Sequence, residues 1–309
     1  MKNVLIIGSD GYIGSRLCED FKEKYWVTKC DMGLFSTPKN SWLCNYKELA
    51  KTDISYFDAI VLLAGHSSVP MCLMSEPSDV IQNNVNNFIS LFENVKSVEN
   101  IYGKKIKLIY ASSSSVYGSG DFKGVEDLEK EFYPMNIYDW TKYVCDVYAK
   151  GNSEVEYYGL RFGTVNGYSP KTRNDIMINS MYYSILKEDK FNITRKKTRR
   201  AILGITDLSK AISTIIDSKE DKRGIYNLAS FNATVEEIAI RLSKVSMKSY
   251  IENKEEIHNT KNYDFYINSS KFCEAFNFRF KENVETIYNE LEQNKNNITF
   301  TNRNQAIKL

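Results

Sequence analysis

Short apolar runs alternate with amphipathic stretches along the first half of the chain. "NVLIIG" reads as a strand, and "YIGSRLCEDFKEKY", whose apolar residues share one helical face, reads as a helix. "WVTKCD" and "DAIVLLAG" predict two further strands, and "VIQNNVNNFISLFENV" a helix. A strand "IKLIYASSS", a helix "YDWTKYVCDVYAK" and a strand "VEYYGLRF" follow. Strands that are apolar throughout are buried on both faces, and their alternation with helices predicts a parallel, doubly wound α/β sheet. After about residue 168 the pattern loosens. "GYSPKTRND" predicts a loop, "IMINSMYYSILKED" and "LSKAISTIID" helices, and "GIYNLAS" one more strand. "TVEEIAIRLSKV" places Thr234 three residues before Glu237, the spacing of a capping box. The asparagine-rich "NKNNITFTNRNQAIKL" predicts a loosely held tail.

Composition narrows the partners. With 41 basic and 39 acidic residues the formal charge is +2, which gives no global argument for nucleic acid or for a membrane surface. No apolar run reaches membrane-spanning length, and the apolar N-terminal run is too short for a leader's core before its glycine-rich turn. Six scattered cysteines with no C-x-x-C pair, and only His66 and His258 as histidines, point to free thiols in a reducing, cytoplasmic setting and to no metal site.

Candidate chemistry lies at the strand ends. Gly8, Gly11 and Gly14 follow the first strand and open a helix, where glycines let a backbone approach a pyrophosphate. Asp31 ends the second strand, where a carboxylate accepts hydrogen bonds from ribose hydroxyls and repels a 2′-phosphate, so NAD is favoured over NADP. Tyr138 and Lys142 stand four apart on a predicted helix and so share one face. A phenol with a pKa near 10 needs roughly 4 kcal/mol to ionise near neutral pH. An ammonium about 4 Å away supplies about that much at an effective dielectric near 20.

With the serine run "ASSSSVYG" (111–118) these features resemble the extended short-chain dehydrogenase/reductase family, in particular its NAD-dependent nucleotide-sugar epimerases and dehydratases. "LLAG" (62–65), "NNV" (83–85), "LRFGTVNG" (160–167), "RAILGITD" (200–207) and "GIYNLAS" (224–230) fall in the family's order, so the resemblance covers about residues 1 to 230. It implies a Rossmann domain over residues 1–168 that regains a strand near 224–230, and a smaller α/β substrate lobe over 169–309. It implies Tyr138 as acid/base, Lys142 as its electrostatic partner and Ser113 as the hydroxyl that holds the substrate oxygen. The implied cofactor contacts are Gly8, Gly11, Tyr12, Ile13, Gly14, Asp31, Met32, Leu63, Ala64, Gly65, Asn84, Tyr138, Lys142 and Gly163. The implied substrate contacts are Ser113, Tyr138, Thr164 and Arg200.

The reaction expected from the resemblance is epimerisation of a nucleotide sugar through a transient ketone. Dehydratases of the family carry Thr-Asp-Glu where this chain has Ser113-Ser114-Ser115, and a serine hydroxyl is neither the acid nor the base that loss of water needs. The core motifs are similar to those of UDP-galactose 4-epimerases. Leu62 and Gly204 replace family histidines and Thr164 a family asparagine, which leaves the substrate open. A carbonyl reductase that releases its cofactor is the rival enzyme. A non-catalytic NAD- or RNA-binding protein is the rival of another class, resting on the basic run "RKKTRR" (195–200). The resemblance also implies a homodimer through a four-helix contact that includes the Tyr138 helix.

Overall fold

The computed structural model describes residues 1–34, 40–120, 124–126, 132–253 and 263–302. His258 lies outside them. A seven-stranded sheet forms the centre, running edge to edge as Gly224–Leu228, Tyr157–Phe162, Lys107–Ser113, Ala59–Leu62, Asn3–Ile7, Trp26–Asp31 and Trp42–Leu43. Every neighbouring pair is parallel.

Successive side chains of a strand point to opposite faces, and each face has its own core. Val4, Ile6, Val61 and Ile109 pack with Leu17 and Phe21 of the helix Tyr12–Phe21 and with Leu208, Ile212 and Ile215 of the helix Ile205–Asp217. Leu5, Ile7, Ile60 and Leu108 pack on the other face with Phe88, Leu91, Phe92 and Val95 of the helix Asn87–Tyr102, and with Cys145 and Ala149 of the helix Ile137–Gly151. The predicted doubly wound sheet is therefore present, and its central strands are apolar because both of their faces are covered.

A smaller set of elements stands at the carboxyl ends of these strands. Arg199–Gly204 pairs antiparallel with Phe231–Thr234 and parallel with Thr164–Asn166, and Lys190–Ile193 pairs parallel with Ser249–Glu252. A third core, including Tyr182, Phe191, Ile238 and Leu242, joins these strands to the helices Met177–Glu188, Val235–Ser246 and Val284–Gln293.

Two expectations change. The continuous helix expected from Val80 is instead a short helix, Pro77–Ile81, a π-helical turn over Gln82–Asn86, and the helix Asn87–Tyr102. The wider turn lets both Asn83 and Asn84 face inward, where they hold His66. The first described residues of the expected tail are tied down: the Thr299 amide donates to the Pro170 carbonyl, the Thr301 amide to Thr172 and the Asn174 amide to Thr301. Residues 303–309 lie outside the described residues.

Candidate active site

The glycine-rich turn is shaped by close approach. Gly8 has φ +86°, and a Cβ there would lie 2.7 Å from the Ala64 amide nitrogen. A Cβ on Gly14 would meet the Gly8 carbonyl oxygen at 2.0 Å, so only glycine lets the helix Tyr12–Phe21 start this near the strand. Gly11 caps that helix with no side-chain hydrogen bond, leaving amides of the first turn for an anionic ligand. Asp31 accepts the Asp10 amide on Oδ2 and the Gly33 amide on Oδ1, both at 2.9 Å.

From this turn a cleft of about 700 Å³ runs across the carboxyl ends of the strands. Gly8, Gly11, Tyr12, Ile13, Gly14, Asp31, Met32, Leu63, Ala64 and Gly65 line one end, and Ser113, Tyr138, Lys142, Gly163, Thr164 and Arg200 continue the wall. Asn84 is the exception. Its Oδ1 accepts the His66 amide at 2.7 Å, and its Nδ2 donates to the His66 carbonyl and to Thr141 Oγ1. It therefore braces the wall, and its neighbour Asn83 lines the cleft.

The helix Ile137–Gly151 carries the tyrosine–lysine pair, and the Asn136 side chain caps it by accepting the Asp139 amide. Lys142 Nζ donates to the Ala111 carbonyl at 2.9 Å and lies 5.8 Å from the centre of the Tyr138 ring. The strand-end carbonyl thus holds the ammonium beside the tyrosine ring. Burial pushes the Tyr138 phenol up to about 12, opposed first by a hydrogen bond from Ser113 and last by the charge of Arg173. Burial also lowers the Lys142 ammonium from its ordinary value. Ionising Tyr138 near neutral pH thus costs roughly 7 kcal/mol. Even a cation about 4 Å from the phenol oxygen would return only about 4 kcal/mol at an effective dielectric near 20, so Lys142 does not offset that cost alone.

Several cleft residues were invisible to motif reading. Arg173, ion-paired with Asp175, comes from the stretch read as a plain loop, and both line the cleft. Tyr263 and Phe265 reach it from far along the chain. The basic run divides: Lys196 pairs with Glu236 and Glu252, Arg199 with Asp264, and Arg200 turns into the cleft and donates to the Tyr263 carbonyl. The glycine at 204 also has a local reason, since a Cβ there would strike Glu282 Oε2 at 1.9 Å.

Residues 4–229 match the model of the NAD dependent epimerase/dehydratase family. The chain belongs to this family. Over 176 residues it is 32% identical to the ADP-L-glycero-D-manno-heptose-6-epimerase of Brachyspira hyodysenteriae, a match covering 52% of this chain and 54% of that one. The chain thus spans about half the length of that relative. It is 26% identical over 239 residues to Protein CapI of Staphylococcus aureus, covering 69% of each. The fold matches the UDP-glucuronic acid 4-epimerase of Bacillus cereus, solved with UDP-glucuronic acid and NAD, at a TM-score of 0.78 and 20% identity, over 94% of this chain and 99% of that one.

NAD is the cofactor of this family, and the cleft fits it. The turn at Gly8, Gly11 and Gly14 leaves no side chain between the backbone and a pyrophosphate, and Asp31 retains acceptor capacity for ribose hydroxyls. When bound, NAD supplies a hydride acceptor and, in its oxidised form, a positive charge. Ser113 and Tyr138, joined by a side-chain hydrogen bond, line the same cleft.

Proposed function

We propose that this epimerase/dehydratase-family protein is an NAD-dependent epimerase of a nucleotide-activated sugar, working through a transient keto intermediate. Tyr138 takes the proton of a sugar hydroxyl as its carbon is oxidised, Ser113 holds the same oxygen, and the ketone then turns and is reduced on its other face. One observation carries this reading. Ser113 and Tyr138 share the cleft wall with Ser114 and Ser115, while the described carboxylates lining the cleft are Asp10 and Asp31 at the glycine-turn end and Asp175, ion-paired to Arg173. Epimerisation needs one proton-transfer group, which is present. Dehydration needs an acid and a base at the serine positions. The names of the heptose-6-epimerase and the UDP-glucuronic acid 4-epimerase among its relatives support a nucleotide sugar. Arg200 is suited to the substrate diphosphate, and Thr164 lines the same cleft.

The test is incubation with a panel of nucleotide sugars, including uronic acids, with products read by NMR and mass spectrometry. An epimer of unchanged mass, formed without added cofactor and with NAD retained, is expected. A product lighter by one water would make the protein a dehydratase. Stoichiometric release of NADH or NAD would make it a reductase or dehydrogenase.

A further inference from the structure

Asp139 follows the candidate acid/base tyrosine in sequence, is fully buried and stands behind the cleft wall. Four donors converge on it. The Met135 amide and Asn136 Nδ2 reach Oδ2 at 3.0 and 2.9 Å, the Tyr263 hydroxyl lies 2.7 Å from each oxygen, and the Ser115 hydroxyl supplies the fourth. The first two are local and belong to the start of the helix. The last two come from other elements, and both Ser115 and Tyr263 line the cleft.

A carboxylate only accepts, so each hydroxyl directs its single proton at Asp139. Ser115 Oγ, 2.7 Å from Ser113 Oγ, can then only accept from Ser113. Ser113 Oγ already accepts the Ser115 amide at 3.2 Å. Its own proton is therefore the mobile one, able to turn from Ser115 to an oxygen at Tyr138. Without Asp139 the Ser115 proton could point at Ser113, and the pair would have no fixed polarity. The Tyr263 contact spans 124 residues of sequence and pins the segment that also meets Arg200 through its backbone carbonyl.

We propose that Asp139 is a positioning residue with two arms: it takes the Ser115 proton so that Ser113 remains a donor in the cleft, and it takes the Tyr263 proton so that the 263–268 segment forms the wall of the sugar site. The proposal rests on the epimerase reading. The competing explanation is that Asp139 only completes the helix cap; Ser115→Ala leaves the cap untouched, and Tyr263→Phe, whose hydroxyl also accepts from Asn136 Nδ2 at 2.6 Å, leaves the capping bond from the Asp139 amide to Asn136 Oδ1 in place.

Ser115→Ala is expected to lower kcat about tenfold with KM within about twofold, and Tyr263→Phe to raise KM about tenfold with kcat nearly unchanged, the scale of one hydrogen bond to a charged group. Hydrogen–deuterium exchange across 263–268 should quicken about tenfold in Tyr263→Phe and in Asp139→Asn, and stay as in wild type in Ser115→Ala. Wild-type kcat in Ser115→Ala would overturn the serine arm. Unchanged exchange in Tyr263→Phe would overturn the tyrosine arm. The exchange arm needs no turnover, so a wild-type protein inert towards every sugar would sink the epimerase reading while the Tyr263 contact is still decided.

Discussion

Asp31 lies at the end of the strand Trp26–Asp31, where its carboxylate holds the Asp10 and Gly33 amides. Two acceptor sites remain for ribose hydroxyls, and a 2′-phosphate would face its negative charge. Calorimetry should therefore show NAD bound at least tenfold more tightly than NADP, and Asp31→Ala should narrow that gap while weakening NAD. Equal affinities in the wild type would remove Asp31 from this role. At Tyr138, removal of the hydroxyl in Tyr138→Phe should reduce turnover by about 10²–10⁴-fold with NAD retained. Near-wild-type turnover in a folded variant would end the mechanism. Residues of this kind were legible because short-range spacing fixes them: a turn after a strand, or two side chains one helical turn apart. Asp139 was equally visible within "YDWTK", yet its partner Tyr263 is not, because nothing local links positions 124 apart. Arg173 escaped for a similar reason, since loop spacing does not say which side chain turns inward.

The helices and strands of the central sheet follow the hydrophobic pattern because each element buries one face, or both, against a continuous core. The pattern fails where backbone geometry departs from regular periods. The π-helical turn at Gln82–Asn86 sits inside an apparently helical run, since its asparagines are held by His66 and not by periodicity. Trp42–Leu43 is too short to show alternation. The helix Val284–Gln293 carries Val284, Ile287 and Leu291 on its buried face, but its many polar residues hide the stripe. By contrast, the Thr234–Glu237 capping box forms as its spacing requires, with the Glu237 amide donating to Thr234 Oγ1 and the Thr234 amide to Glu237 Oε2. Thr234→Ala should cost about 1 kcal/mol in urea unfolding and leave NAD affinity unchanged. No loss of stability would mean that the packing of Val235, Ile238 and Leu242 alone holds this helix.

At the scale of the molecule, Glu282 joins the two parts of the fold: its Oε2 accepts the Asp207 amide at 3.0 Å, and its backbone amide donates to Asp207. Burial, with Glu290 and Asp207 nearby, raises its carboxyl from 4.5 to about 7. Between those values the folded state holds a proton that the unfolded chain has lost, so this group's contribution to stability falls as pH rises from about 4.5 to 7 and is flat above. Glu282→Gln should therefore gain thermal stability relative to wild type at pH 8 more than at pH 5. No described helix is long and apolar enough to cross a membrane, yet Trp140 and Val147 are exposed seven residues apart on one face of the helix Ile137–Gly151. Leu73 and Met74 are exposed on the helix Val69–Met74 packed beside it, and Ile101 and Tyr102 at the end of the helix Asn87–Tyr102. Apolar side chains grouped on neighbouring helices mark a surface that gains by being covered. A second copy is the occupant expected from the family resemblance, and a two-fold contact would bring the helices of each copy together as a four-helix layer. Light scattering should give a dimer, and the double variant Trp140→Glu, Val147→Glu should be a folded monomer that still binds NAD, because two charges on this face oppose burial without touching the cleft. A wild-type monomer, or a double variant that remains dimeric, would exclude this face as the contact.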